Sequence, residues 1–294
     1  MPAHGIAEGQ RCMRLRSLLF VPGDRPDRFA KAAASGADAL ILDLEDSVAQ
    51  ERKAEARDAV AQWLATERTL PAFVRVNPLD GGFLKDDLAA ILRGRPDAIV
   101  LPKADGAASI EALIALLDGE FIPILPIATE TPAAIFQLGS YVLVRDHLAG
   151  LTWGAEDLPA AIGATTSRET DGRYTAPYEM ARSLTLLAAH AAGVPAIDTV
   201  FPAIDAPDAL ATYVARARRD GFTGMMAIHP AQVETINAGF TPTADEIAHA
   251  RAVVAAFAAH PDAGALQLNG RMIDRPHLLQ AQRVLDEDNK QTIA

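Results

Sequence analysis

Acidic side chains recur in this chain at one kind of position, just after a short apolar run. Asp43, Glu45 and Asp46 follow the run 39–42, Glu130 follows 122–127, and Glu156 and Asp157 follow 148–153. Cations and amides share the pattern. Arg25 comes after the run 17–21, Arg75 and Asn77 close the run 72–76, Lys103 follows 98–101, and His229 and Gln232 follow 224–228. Carboxylates with little histidine and no cysteine beside them select a hard cation. Mg²⁺ takes one or two carboxylates and completes an octahedron at about 2.1 Å with water and substrate oxygens. Glu130 and Asp157, at the ends of consecutive runs, are the pair placed to share one ion. The competing reading is structural, because an acidic residue at a strand end often caps the next helix. Several other chemistries lack their fingerprints: there is no His-Glu-x-x-His, no Gly-x-Ser-x-Gly, and neither of the glycine-rich nucleotide loops follows a strand.

For these groups to converge, the runs must be strands whose ends share one mouth. Eight runs occur, at 17–21, 39–42, 72–76, 98–101, 122–127, 148–153, 196–201 and 224–228. Their continuous apolar character suits strands buried on both faces better than half-exposed ones. Stretches with helical spacing lie between them, as at 27–34, 50–66 and 107–117, and the runs start about 25–30 residues apart, as strand-plus-helix units do. Eight such units predict a (β/α)₈ TIM barrel, with its chemistry at the C-terminal strand ends. The sixth interval is long, and reads as an inserted loop at 161–178 followed by a helix at 179–192. Beyond the eighth run come a helical stretch at 244–259, a turn at 260–264 and a last helix at 277–288. The expected organisation is a disordered tail at 1–13, a barrel at 14–260 and a short C-terminal helical lid at 261–294, too small to fold alone.

With 294 residues, half of them apolar, the chain can bury one large core. Its net charge of −11 argues against general binding to nucleic acid or an anionic membrane, while allowing a local basic pocket. The single cysteine, Cys12, allows no intrachain disulfide and has no neighbouring histidine to activate it, which fits a cytoplasmic enzyme. Neither a signal-peptide core nor a run of about 18 apolar residues is found, so no membrane association is expected.

The strand ends also read as a set. Leu18-Leu-Phe-Val-Pro-Gly23 with Arg25-Pro26, Asp43-Leu-Glu-Asp46, Arg75-Val-Asn77, Leu101-Pro-Lys103, Glu130-Thr131, Gly154 with Asp157-Leu158, and Ile228-His-Pro230 with Gln232 stand in order along the chain. Together they resemble the citrate lyase β-subunit-like branch of the HpcH/HpaI aldolase superfamily, which includes malyl-CoA and citramalyl-CoA lyases. The resemblance runs from about residue 16 to about residue 285. It implies a TIM barrel, Mg²⁺ and reversible cleavage of a 3-hydroxy-3-carboxylacyl-CoA into acetyl-CoA and a 2-oxo acid. By the same resemblance Glu130 and Asp157 match metal ligands and Arg75 a substrate-binding arginine. Phe20, Arg25 and Lys31 fall at CoA contacts, and Asp274 matches a lid aspartate that enters a neighbouring subunit's site. A homo-oligomer, a trimer or hexamer exchanging lids, is implied with it.

The chemistry suits those roles. Retro-aldol cleavage needs a polarised hydroxyl and a stabilised thioester enolate, which an arginine can supply. The reverse direction needs a base for the acetyl methyl, suited to an aspartate on a mobile lid. Glu45 and Asp46 are expected to support Arg75 or the ion's waters rather than bind metal directly, with Lys103 as their ion-pair partner. His229 reads as a structural turn residue, and Trp153, Met225 and Met226 as core. Met225 departs from the pattern, since relatives usually carry lysine there. Two alternatives share the barrel: a citrate lyase β subunit acting on a carrier-bound citryl thioester, and a thioesterase of the malyl-CoA type.

Overall fold

Each of the eight apolar runs forms a parallel strand: β1 Ser17–Pro22, β2 Ala39–Asp43, β3 Ala72–Arg75, β4 Ala98–Leu101, β5 Ile124–Pro126, β6 Leu151–Thr152, β7 Ala196–Asp198 and β8 Gly224–Ala227. These elements come from a computed structural model that describes residues 13–292. Cys12 and all but the last residue of the expected tail lie outside that range. The strands follow the order β5-β4-β3-β2-β1-β8-β7-β6. Single bridges from Ile124 to Leu148 and from Ile127 to Thr152 join β5 to β6 and nearly close the cylinder. Strands β2 and β4 are buried at every residue, which is why they read as unbroken apolar runs.

The helices are α1 Phe29–Ala33, α2 Lys53–Leu64, α3 Leu84–Ile91, α4 Ala107–Leu116, α5 Pro132–Ile135, α6 Asp157–Ile162, α7 Ala176–Ala192, α8 Pro207–Asp220, α9 Pro230–Gly239, α10 Ala244–Ala259 and α11 Arg275–Thr292; a hairpin of β9 Ala265–Leu268 and β10 Arg271–Asp274 precedes the last of them. Helix α2 shows the packing logic, burying Lys53, Ala56, Val60 and Leu64 as one stripe. No described helix is long and apolar enough to cross a membrane.

The long sixth interval departs from expectation at both ends. A short helix, α6, occupies its start, and α7 begins at Ala176 rather than 179, because Pro177 is tolerated in a first turn. The segment between them is tied down by Tyr174, which packs edge-on against Trp153 with ring centres 5.0 Å apart, while Arg168 lies 4.0 Å over the tyrosine ring.

Contacts divide the chain into two compact units, one of them Leu15–Asn237, the barrel. The other gathers α10, the hairpin and α11. Helix α10 carries a capping box between Thr243 and Glu246. Its Val253 and Phe257 pack with Ile273 and Ala281. That apolar cluster groups α10 with the C-terminal segment, one helix before the boundary expected at 260/261. The hairpin turns at Asn269 and Gly270, both in the left-handed region (φ 49° and 76°), the conformation for which Asn-Gly is favoured.

Candidate active site

Register builds the first half of the site. Asp43 and Arg75 are paired residues at the ends of β2 and β3. Arg75 Nε and Nη2 each donate to an Asp43 carboxylate oxygen at 2.7 Å. Its Nη1 lies 2.9 Å from Glu45 Oε2, a close ionic contact off the hydrogen-bond axis, since that buried oxygen has no hydrogen bond of good geometry. The guanidinium sits 4.9 Å over the ring of Phe20. Burial alone would push the Asp43 carboxyl up, but the bidentate arginine outweighs it and holds the group below its usual range. Arg75 is therefore a fixed cation, held on two carboxylates and stacked on an aromatic face.

Lys103 links this half to the second. Its ammonium donates to Glu45 Oε1 at 2.8 Å and lies 3.8 Å from Asp157 Oδ1. Its backbone N–H donates to Glu130 Oε2 at 2.6 Å. Lys103 has φ +51°, unusual for a side-chain-bearing residue. The expected Lys103–Glu45 ion pair is present.

Glu130 is buried, and its carboxyl is pushed up to about 8, first by burial and further by the charges of Asp157 and Glu45, against the opposing Lys103 amide. Gly154 makes room for it, since a Cβ there would lie 2.5 Å from Glu130 Cγ. Capping does not explain either acidic residue. Helix α5 is capped by Thr131, whose side chain accepts from the Ala134 amide. Asp157 is the first residue of α6, and no side-chain cap bond forms there. Two carboxylates thus border one lysine, Glu130 at its amide and Asp157 near its ammonium, and burial together with like charge disfavours the ionised form of Glu130. A hard divalent cation fits that pair, with its other positions left to water and substrate. Among the described residues no cluster of three or more His, Cys, Asp or Glu is arranged to hold a metal.

Asp46 is exposed beside a cavity of about 350 Å³ that Glu45, Lys53, Asn77, Phe83 and Lys103 also line. Arg25 forms an exposed pair with Asp27 at 3.0 Å, and Lys31 is exposed on α1. A larger depression of about 630 Å³, lined by Pro26, Phe29, Trp63, Glu55 and Asp58, lies by α1 and α2. Asp274 sits in the second unit, where His277 Nδ1 at 2.5 Å holds its carboxyl below the usual range. His229 is exposed and its Nδ1 accepts from the Ala231 amide, the work of a turn residue at a helix start. Met225 is wholly buried and in register with Ser17 and Asp198, which bond to Asn237 of α9 and Arg182 of α7. Paired parallel residues face the same side, so Met225 points to the helix layer and not to the mouth.

Sequence reasoning left the polar cluster around Asp198 unassigned. Asp198 is fully buried and accepts from Trp153 Nε1 at 2.6 Å, Tyr213 Oη at 3.2 Å, and Arg182 Nε and Nη2 at 3.0 and 2.8 Å. An aspartate at the end of an apolar strand was the available signal. Its partners come from the residue after β6, from α7 and from α8, and their spacing follows no motif.

Comparison with known proteins gives the chain's relatives. The HpcH/HpaI aldolase/citrate lyase family model matches residues 16–230. A citrate lyase subunit beta-like protein of Mycobacterium tuberculosis is 37% identical over 268 residues, covering 91% of this chain and 93% of that protein. A (3S)-malyl-CoA thioesterase of Cereibacter sphaeroides is 33% identical over 276 residues, covering 92% and 93%. The crystal structure of the protein CitE from M. tuberculosis, in complex with magnesium, acetoacetate and coenzyme A, superposes with a TM-score of 0.79 at 35% identity, covering 92% of this chain and 97% of that one. With the eight-stranded barrel and this coverage in agreement, the chain belongs to the HpcH/HpaI aldolase/citrate lyase family and is an enzyme of that lyase family.

Proposed function

We propose that the chain is a Mg²⁺-dependent cytoplasmic lyase that cleaves a 3-hydroxy-3-carboxylacyl-CoA, of the malyl-CoA or citramalyl-CoA type, into acetyl-CoA and a 2-oxo acid. The observation that carries this reading is the buried Glu130 carboxyl beside Asp157, a step from an arginine already locked in place. Glu130 and Asp157 would hold the ion, which when bound supplies Lewis acidity and a template for the substrate's hydroxyl and carboxylate. The relative solved with magnesium and coenzyme A supports magnesium as the ion.

The chain's own groups do the rest. Arg75 spends its Nε and Nη2 edge on Asp43, sets Nη1 beside Glu45 and gives one face to Phe20. Its remaining N–H groups are for the thioester oxygen, where they stabilise the enolate as the carbon–carbon bond breaks. Preorganised charge of this kind needs no rearrangement during reaction. Glu45 and Asp46 keep Arg75 and Lys103 oriented. Asp274, ionised beside His277, exchanges a proton with the acetyl carbon, reaching it as a lid residue of a neighbouring subunit in a homotrimer or hexamer. Phe20, Arg25 and Lys31 take the CoA moiety, with the two cations suited to its phosphates.

Two neighbouring readings have a specific basis. Similarity to a (3S)-malyl-CoA thioesterase favours hydrolysis of the thioester as a second activity of the same pocket. Similarity to a citrate lyase subunit beta-like protein favours a carrier-bound citryl thioester as an alternative substrate. The test is a mass-spectrometric screen of malyl-, β-methylmalyl-, citramalyl- and citryl-CoA with Mg²⁺, using the wild type and the variants Glu130→Gln and Asp157→Asn. Acetyl-CoA formed by the wild type and by neither variant is expected. Equal turnover in all three would refute the metal pair, and free CoA appearing as fast as acetyl-CoA would favour the thioesterase.

A further inference from the structure

We propose that the Lys103 ammonium is a resident counter-cation of the carboxylate pocket, displaced from Asp157 when a divalent ion binds, and that this competition sets the affinity for the ion. The proposal rests on the Glu130–Asp157 metal pair above.

Lys103 reaches the acidic groups from one backbone position. Its amide holds Glu130 at 2.6 Å, and its ammonium holds Glu45 at 2.8 Å and stands 3.8 Å from Asp157. The left-handed backbone at φ +51° accompanies this double reach. The two roles differ in their consequences. The amide carries no net charge, so Glu130 keeps it when an ion arrives. The ammonium carries a full positive charge beside the position where a second, doubly charged cation would sit. Two cations sharing one carboxylate repel, and in a partly buried site that repulsion is poorly screened.

The side chain also has somewhere to go. It is 36% exposed and lines the cavity of about 350 Å³ together with Glu45 and Asp46. Lys103 can therefore release Asp157 and remain on Glu45, with exposed Asp46 as a further anion facing it. Arg75 cannot serve as the displaced cation, because Asp43 grips it through two bonds. Keeping Lys103 on Glu45 preserves the Glu45–Arg75 contact in both states, so ion entry leaves the guanidinium undisturbed.

The test measures Mg²⁺ affinity by titration calorimetry, and thermal unfolding in EDTA and in Mg²⁺, for the wild type, Lys103→Met and Lys103→Arg. Lys103→Met keeps the backbone amide and the stem length but removes the charge. It is expected to bind Mg²⁺ at least tenfold more tightly (about 1.4 kcal/mol), to melt at a lower temperature in EDTA, and to gain more from added Mg²⁺ than the wild type does. Lys103→Arg keeps the charge and is expected to bind Mg²⁺ no more tightly than the wild type. Unchanged or weaker Mg²⁺ binding by Lys103→Met would overturn the proposal, because an organising lysine would lower affinity when lost. Should Lys103→Met fail to fold, Lys103→Gln carries the same expectation and the same refutation. Glu130→Gln separates the layers: if it binds Mg²⁺ as the wild type does, the metal pair itself is wrong. If it loses binding while the Lys103 variants bind normally, only the competition fails.

Discussion

Gly154→Ala tests whether Glu130 is as tightly placed as its contacts indicate. Gly154 does not have a left-handed backbone, so alanine fits the chain there, and the effect of the change is confined to one new methyl group. That methyl would lie 2.5 Å from Glu130 Cγ, 3.1 Å from Oε1 and 3.2 Å from Cδ. Cγ must retreat from 2.5 Å to the 3.4 Å of ordinary contact, about 0.9 Å, while the Lys103 amide holds Oε2 at 2.6 Å. Metal–oxygen distances tolerate only about 0.2 Å. A displacement of this size should weaken Mg²⁺ binding at least tenfold, and overpacking should cost about 1–3 kcal/mol in the metal-free protein. Titration calorimetry with Mg²⁺ and thermal melts in EDTA read both quantities. Gly264→Ala is the control, since its Cβ meets nothing within 4 Å. A Gly154→Ala protein with wild-type Mg²⁺ affinity and an unchanged melting temperature would refute the account, because Glu130 would then be free to move without consequence.

Arg75→Ala should lower kcat/KM by about 3 kcal/mol, over a hundredfold, as loss of an oxyanion donor does; steady-state kinetics on the active thioester would remove Arg75 from the mechanism if the loss were under tenfold. Asp198→Asn should destabilise the barrel by about 3–5 kcal/mol, because Arg182 is buried and would lose the charge of its main partner. Urea unfolding checks this, and a change below 1 kcal/mol would contradict the cluster's role. In EDTA the protein should lose stability as pH rises from about 5 to 8. The Glu130 carboxyl is pushed up from 4.5 to about 8 in the fold, so its contribution is fully present below the unfolded value and is lost as pH climbs through the folded one. Urea midpoints across that range should slope less in Glu130→Gln, and parallel slopes would show that Glu130 is not the titrating group.

How much of this was readable from the chain depends on the range of the interaction. The eight strands were visible as apolar runs at a regular period, because burial on both faces and alternation with helices are properties of neighbouring residues. The acidic and basic residues at the strand ends were visible for the same reason, since a polar residue that closes an apolar strand has few other places to be. The Asn-Gly signal for the β9–β10 hairpin was also local, at Asn269 and Gly270, though the segment read only as part of a helical lid.

Which strand-end groups meet is a different kind of fact. Arg75 lies on Asp43 because register sets β2 beside β3, 32 positions apart in sequence. Lys103 joins Glu45, Glu130 and Asp157 because a left-handed backbone points its amide and its ammonium to different partners, and no pattern of residue types announces that. Asp198 likewise collects partners from the end of β6, from α7 and from α8. Apolar pattern and turn chemistry are written locally and survive in any sequence window. The pairing of charges depends on which elements close the cylinder and in what register, and only the folded chain decides it.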